Sequence, residues 1–300
     1  MKFAYLIMAH AAPEQLLALI ERLAAGSAEN RIILHLDRRS SLWREHRERF
    51  ASLHSRQLVL IDQPVAVVWG HDSICAAQRL LLKAALTEGF DYCHLLSGAD
   101  WPVALPGTIA RDIAAFEGRR PAFIDIYGEE QCERMEDWWF DSRPLRLSGF
   151  PRINENVNRA QTRVSWTFSR WYRERQLQRR RYAGLPWLKG SMWWSLPHDV
   201  AHVVHAEVTA LEASGRLRFT QCPDEHVIPT VLARRFPNRI EPGFRYIDWS
   251  AGGYHPKVLR QEDEASIATS GAWFARKFDS TTDDFFLAPE SFGPIAQAAE

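Results

Sequence analysis

From residue 3 to residue 97 the chain alternates short apolar runs with longer amphipathic ones, and this alternation restricts the fold more than any other feature. Phe3–Ala9 (FAYLIMA) reads as a strand, and residues 13–26 (PEQLLALIERLAAG) as a helix that stops at a glycine. Residues 31–37 (RIILHLD) and 57–62 (QLVLID) read as two more strands. Residues 73–89 form a long amphipathic helix, and 91–97 (DYCHLLS) a fourth strand. Strands this short and apolar, separated by helices, imply an α/β fold: a mainly parallel central sheet with helices on both faces. Ligands of such sheets sit beyond the carboxyl ends of the strands, so the strand exits HLDRRS and LLSGADWPV mark the expected ligand edge. The pattern resumes after residue 189, with 190–196 (GSMWWSL) as a strand and 197–211 as a helix. The expected organisation is one domain over residues 1–285, carrying a helical insert at 151–189, followed by a C-terminal tail at 286–300.

The insert has a different character. It holds nine Arg and one Lys against Glu155 and Glu174, a local charge of about +8 within a chain whose formal net charge is zero. Trp166, Phe168, Trp171 and Tyr172 are interleaved with these cations. A solvated helical face and a surface for anionic lipid, or for an anionic acceptor, both fit. Overall neutrality gives no global electrostatic case for nucleic acid. Cys75, Cys93, Cys132 and Cys222 are widely spaced without a CxxC pair, which fits reduced thiols in a cytosolic setting. The first apolar run is interrupted by His10, Pro13 and Glu14, too early for a membrane span or signal peptide. A cytoplasmic chain, with peripheral contact at the inner face of a membrane, is the expectation.

Familiar catalytic signatures are missing: no GxSxG elbow, Walker loop or GxGxxG fingerprint occurs. His198, His202 and His205 share a helix face at spacings of four and three, but without the glutamate of a metalloprotease. No Asp-x-Asp pair is present, and Glu262 and Glu264 lie in a polar stretch. Twelve tryptophans, among them Trp101, Trp193 and Trp194, could be core residues or could stack on sugar rings. Arg276 and Lys277, in WFARKFD, and Arg245, before YIDW, could neutralise a diphosphate without a metal. Asp224 and Glu225, in TQCPDEHVIPTVL, read either as the acids of a helix start or as a working base and its neighbour.

Six segments in order, VVWGHDSICAAQRLLLKAAL, FDYCHLLSGADWPV, GSMWWSL, PDEHVIPTVL, RYIDW and FARKFD, resemble the core-2/I-branching β-1,6-N-acetylglucosaminyltransferase family. That family, glycosyltransferase family 14, includes the peptide O-xylosyltransferases. The likeness runs from about Phe3 to Asp279, without the membrane anchor and cysteine-rich framework of the animal Golgi enzymes. The resemblance implies a GT-A-like fold, a UDP-sugar donor, inversion at the anomeric carbon and no divalent metal or other cofactor. It implies Glu225 as catalytic base, with Asp224 capping the helix that follows. Arg276, Lys277 and Arg245 are then the diphosphate cations. Asp37, Trp69 and Gly70 lie near the nucleoside, and Ser97, Asp100, Trp101, Trp193 and Trp194 line the sugar and acceptor pocket. The expected partners are the UDP-sugar and a glycan or lipid-linked glycan acceptor. N-acetylglucosamine and xylose remain alternative donors, and a sugar-binding module without catalysis is the reading from another class.

Overall fold

A computed structural model describes residues 1–53, 57–140, 151–175, 182, 184–253, 255–288 and 291–292. The expected opening alternation is present: β1 (Phe3–Ala9), α1 (Pro13–Ala25), β2 (Arg31–Leu36), α2 (Ser41–Ser52), β3 (Leu58–Leu60), α3 (Ser73–Glu88) and β4 (Tyr92–Ser97). Helix α2 gave no apolar period in the sequence because it buries only Leu42 and Phe50; Ser40 caps it by accepting the Trp43 N–H. Then come β5 (Asp100–Pro102), α4 (Pro106–Ala114), β6 (Ala122–Phe123), β7 (Ile126–Gly128), α5 (Glu133–Glu136) and α6 (Pro151–Glu174). The rest comprises β8 (Lys189–Gly190), β9 (Ser195–Pro197), α7 (His198–Ala213), α8 (Val227–Arg235), β10 (Ile240–Glu241), β11 (Arg245–Ile247), α9 (Glu264–Thr269) and β12 (Phe274–Arg276).

Seven strands form the central sheet in the order β10-β6-β9-β4-β1-β2-β3. All described pairings are parallel except those of β9, which runs against both β4 and β6. Strand β1 shows why both faces are covered. Phe3, Tyr5 and Ile7 face one apolar layer, with α1, α2 and α4, while Ala4 and Leu6 face the other, with α3, α7 and α8. The α/β class with a mainly parallel sheet is therefore the observed one. The single strand expected at 190–196 is two short ones, β8 and β9, separated by the tryptophans.

A smaller sheet, β11-β12-β5, stands beside the carboxyl ends of β1 and β4. It is bolted on by Gln15, whose side-chain amide donates to the carbonyls of Gly98 (3.0 Å) and Phe278 (3.2 Å) and accepts the Ser280 N–H (2.9 Å). Phe286 is fully buried and packs on Trp101, and Arg22 donates to the Ser291 carbonyl. Packing thus continues past residue 285, where the tail was expected to begin; residues 289–290 and 293–300 of that tail lie outside the described residues. In the Arg-rich insert, residues 176–181 and 183 lie outside them as well. Among the described residues no helix is long and apolar enough to cross a membrane.

Candidate active site

The site gathers at the carboxyl ends of β1, β2 and β4, and one edge of it is cationic. Strands β5 and β12 pair antiparallel, which sets Arg276 opposite Asp100. Asp100 is 4% exposed and accepts two hydrogen bonds from Ser97, from its N–H at 2.7 Å and its hydroxyl at 3.0 Å. Arg276 Nε lies 3.4 Å from Asp100 Oδ1, and its guanidinium carbon sits 3.9 Å from the centre of the Trp193 ring. Burial lowers the Arg276 pKa, while Asp100 opposes that fall. The next residue, Lys277, is partly exposed, and its carbonyl accepts the Leu259 N–H at 2.8 Å. The Phe278 N–H donates to the Ala99 carbonyl at 2.9 Å, so the SGADWP and ARKFD segments form one unit.

Strand geometry corrects part of the expected site. Neighbouring side chains of β5 point to opposite faces, so Asp100 faces Arg276 while Trp101 turns into the core. Trp101 is 2% exposed and packs edge-on against Phe286. Trp194 is likewise buried, in the α3–α7 layer. Neither ring can stack on a sugar. Trp193 remains at the site, beneath Arg276. Arg245 is placed between strands: its Nη2 donates to the carbonyls of Leu95 (3.3 Å) and Trp194 (3.1 Å) and to the Ser195 hydroxyl (3.3 Å). Its guanidinium lies over Phe274, its Nη1 is buried without a partner, and burial pulls its pKa down to about 10. Through Nη2 this arginine ties β4 to β9.

The acidic edge is a turn before α8. Cys222 adopts a left-handed backbone (φ 49°), and its N–H donates to the Gly70 carbonyl at 2.9 Å, joining the turn to the Trp69–Gly70 loop. Pro223–Glu225 then form one 3-10 turn. Asp224 is 5% exposed with Oδ1 unpartnered; burial first, and the Glu225 charge second, push its pKa up to about 7. The expected capping role is corrected, because α8 starts at Val227 without a side-chain cap. Glu225 points the other way. Its side chain is 35% exposed and accepts a hydrogen bond from Arg134 Nη1 at 2.8 Å. Arg134 is held in turn where its carbonyl accepts the Gln221 N–H at 2.8 Å. Tyr127, whose pKa is raised by burial and then by the charges of Asp125 and Glu225, stands nearby.

A shallow depression of about 330 Å³, lined by His10, Asp37, Arg39, Val67, Val68 and Trp69 among others, opens beside β2. Asp37 Oδ1 accepts the N–H groups of Arg39 (2.9 Å) and Val67 (3.0 Å), so the carboxylate shapes the loop that carries Trp69. Trp69 is 64% exposed. The structure thus brings Asp37, Trp69 and Gly70 to one rim, and Ser97, Asp100, Trp193, Arg276 and Lys277 to another. Glu225 is linked to the first through Cys222. Arg134 escaped sequence reasoning, since its partner lies 91 positions away and its neighbours are ordinary surface acids. Gln15 escaped because it sits on an apolar helix face. Among the described residues no three His, Cys, Asp or Glu side chains converge to hold a metal ion.

A family model described as Core-2/I-Branching enzyme matches residues 3–271. No curated protein matches the chain. Among solved structures, Staphylococcus aureus TarS 1-349 in complex with UDP-GlcNAc is 15% identical, with a TM-score of 0.30; the match covers 41% of this chain and 34% of that one. The chain therefore spans about a third of the TarS chain it matches. Mouse xyloside xylosyltransferase 1, in its apo form, is 12% identical over 92% of this chain and 97% of that one, with a TM-score of 0.38.

Proposed function

The chain belongs to the core-2/I-branching enzyme family and is a glycosyltransferase-family enzyme; from that premise we propose that it transfers a sugar, N-acetylglucosamine, from a UDP-sugar to a glycan hydroxyl, with inversion and without a divalent metal. The observation that carries this reading is the division of the Pro223–Glu225 turn. It buries Asp224 and leaves the Glu225 side chain 35% exposed, its carboxylate fixed by Arg134 at 2.8 Å. A base must reach the acceptor and hold its aim, and of the two acids only Glu225 meets both needs.

In the proposed reaction the acceptor oxygen attacks the anomeric carbon from the face opposite the diphosphate. The bond from that carbon to the phosphate oxygen breaks, and its electron pair leaves with UDP. The hydroxyl proton passes to the Glu225 carboxylate. Inverting glycosidases use a base in the same way on water, through a similar oxocarbenium-like transition state. Lys277 meets the charge that grows on the diphosphate, and Arg276 reinforces it from its seat between Asp100 and Trp193. Ser97 and Asp100 are positioning residues, because their polar atoms are engaged with each other and with Arg276. Arg134 has the same rank toward Glu225, and Arg245 toward the β4–β9 joint. The Asp37–Trp69 depression takes the nucleoside, where an exposed indole offers a face for stacking.

A thermal-shift screen of UDP-sugars, each with and without EDTA, tests donor and metal together, because a ligand that binds only the folded state raises the melting midpoint. UDP-N-acetylglucosamine should raise it by the same amount in both arms. No shift with any UDP-sugar would remove the donor assignment, and a shift abolished by EDTA and restored by manganese would remove the metal-independent one.

A further inference from the structure

Helix α6 leaves a flank of apolar side chains in water beside the face by which it is attached. That inner face combines two serine anchors with aromatic packing: the Ser165 hydroxyl accepts the Phe140 N–H at 3.1 Å, the Ser169 hydroxyl accepts the Trp138 N–H at 2.8 Å, and Phe168 and Tyr172 pack on the Trp138 ring. Both serines are buried. On the flank Ile153, Val164 and Trp171 recur at steps that return to one helix direction, and they are 44%, 57% and 43% exposed; Phe168, 37% exposed, stands between this flank and the inner face. Trp166, at 62%, is exposed on another side of the same helix. Five of the twelve large apolar side chains exposed among the described residues thus lie on this one helix. A chain that left this stripe in water would forgo the burial that drives association of apolar surfaces.

Arginines border the stripe. Arg159 and Arg170 form ion pairs with Glu155 and Glu174 along the helix, Arg175 sits 4.3 Å over the Trp171 ring, and Arg163 is exposed. We propose that α6 lies flat on an anionic lipid bilayer, with Ile153, Val164 and Trp171 in the acyl boundary and Arg163 and Arg175 at the headgroup phosphates. Three features select this occupant. Tryptophan prefers the membrane interface, where one side of the ring is apolar and the other wet. Arginine stems reach along apolar surface while the guanidinium stays with phosphate oxygens. A second copy of the helix would instead bring one arginine border against another, with too few acids to match it. The serine-anchored inner face fixes which side meets the lipid, so the rest of the chain is carried at a set orientation above the bilayer.

Flotation of the full chain with vesicles of phosphatidylcholine alone, and of phosphatidylcholine mixed with phosphatidylglycerol, tests the assignment. Binding is expected to the mixed vesicles only and should weaken as salt rises. Val164→Ser with Trp171→Ser should reduce it at least about tenfold, and Arg163→Gln about fivefold. Melting midpoints and donor turnover without vesicles should match the parent, since none of these residues touches the proposed site. Three outcomes overturn the proposal. They are no flotation with either vesicle, flotation unchanged in both variants, or sedimentation showing a dimer that the serine variant dissociates, which would assign the stripe to a second copy.

Discussion

Two pairs of adjacent like charges, Asp224–Glu225 before α8 and Arg276–Lys277 at the end of β12, each hold their first residue largely out of water but stabilise it differently. Asp224 is 5% exposed against 35% for the Glu225 side chain; the Arg276 side chain is 15% exposed and Lys277 is partly exposed. Arg276 is compensated, by Asp100 at 3.4 Å and by the face of Trp193. Asp224 has no such partner: Oδ1 is unpaired, and the charge of Glu225, of its own sign, acts on it more strongly than that of Arg134. A buried cation with a counter-ion stays charged, whereas a buried acid without one takes up a proton instead. The lesson is that two adjacent charges need not share a task. One can be spent on rigidity so that the other is held at a defined place.

The largest expected effect tests the outward member of the acidic pair. Glu225→Gln should lower kcat for sugar transfer by about 10²–10⁴ with a donor KM close to that of the parent. Unchanged turnover would mean that the turn presents its acid for some other purpose. The inward member is tested by pH. Burial pushes the Asp224 pKa up to about 7 in the folded state, against 3.8 for the free side chain, so between these values the folded state holds the extra proton. Stability contributed by this group is therefore full below the lower value and lost as pH rises through the upper one, by up to about 4 kcal/mol. Asp224→Asn should abolish that slope and be more stable than the parent at pH 8. Denaturant titrations across the window decide the matter, and parallel curves for the two proteins would show that Asp224 is not the proton carrier. The compensated pair gives the smallest effect of the three. Asp100→Asn should destabilise by about 3 kcal/mol, because it strands a buried guanidinium, and it should raise the donor KM as the ARKFD segment loosens. A loss of stability without any change in KM would separate Arg276 from the donor site.

Much of this molecule is legible in the chain because the relevant signals are local. Strands β1 to β4 and helices α1, α3 and α7 follow from apolar periodicity, since a residue's face is fixed by its position along its own element. Helix α2 did not show itself, having too little buried surface to leave a period. The same limit governs the site. Glu225 and Lys277 could be singled out by motif, but Trp101 and Trp194 carry the same aromatic label as Trp193 and only packing separates them. Arg245 is a cation in the sequence, and its hydrogen bonds to the carbonyls of Leu95 and Trp194 exist only in the fold.

The amino-acid order alone determined the layered α/β architecture, the strand ends at which the site forms and the cationic, aromatic character of α6, because each depends on residues close together along the chain. The tertiary structure alone decided that Asp224 is buried while Glu225 is not, that Arg134 holds Glu225, and that α6 turns its serines inward. Those choices are made by contacts between segments far apart in sequence, and burial, which sets the value of a charge or a ring, exists only once those segments have met.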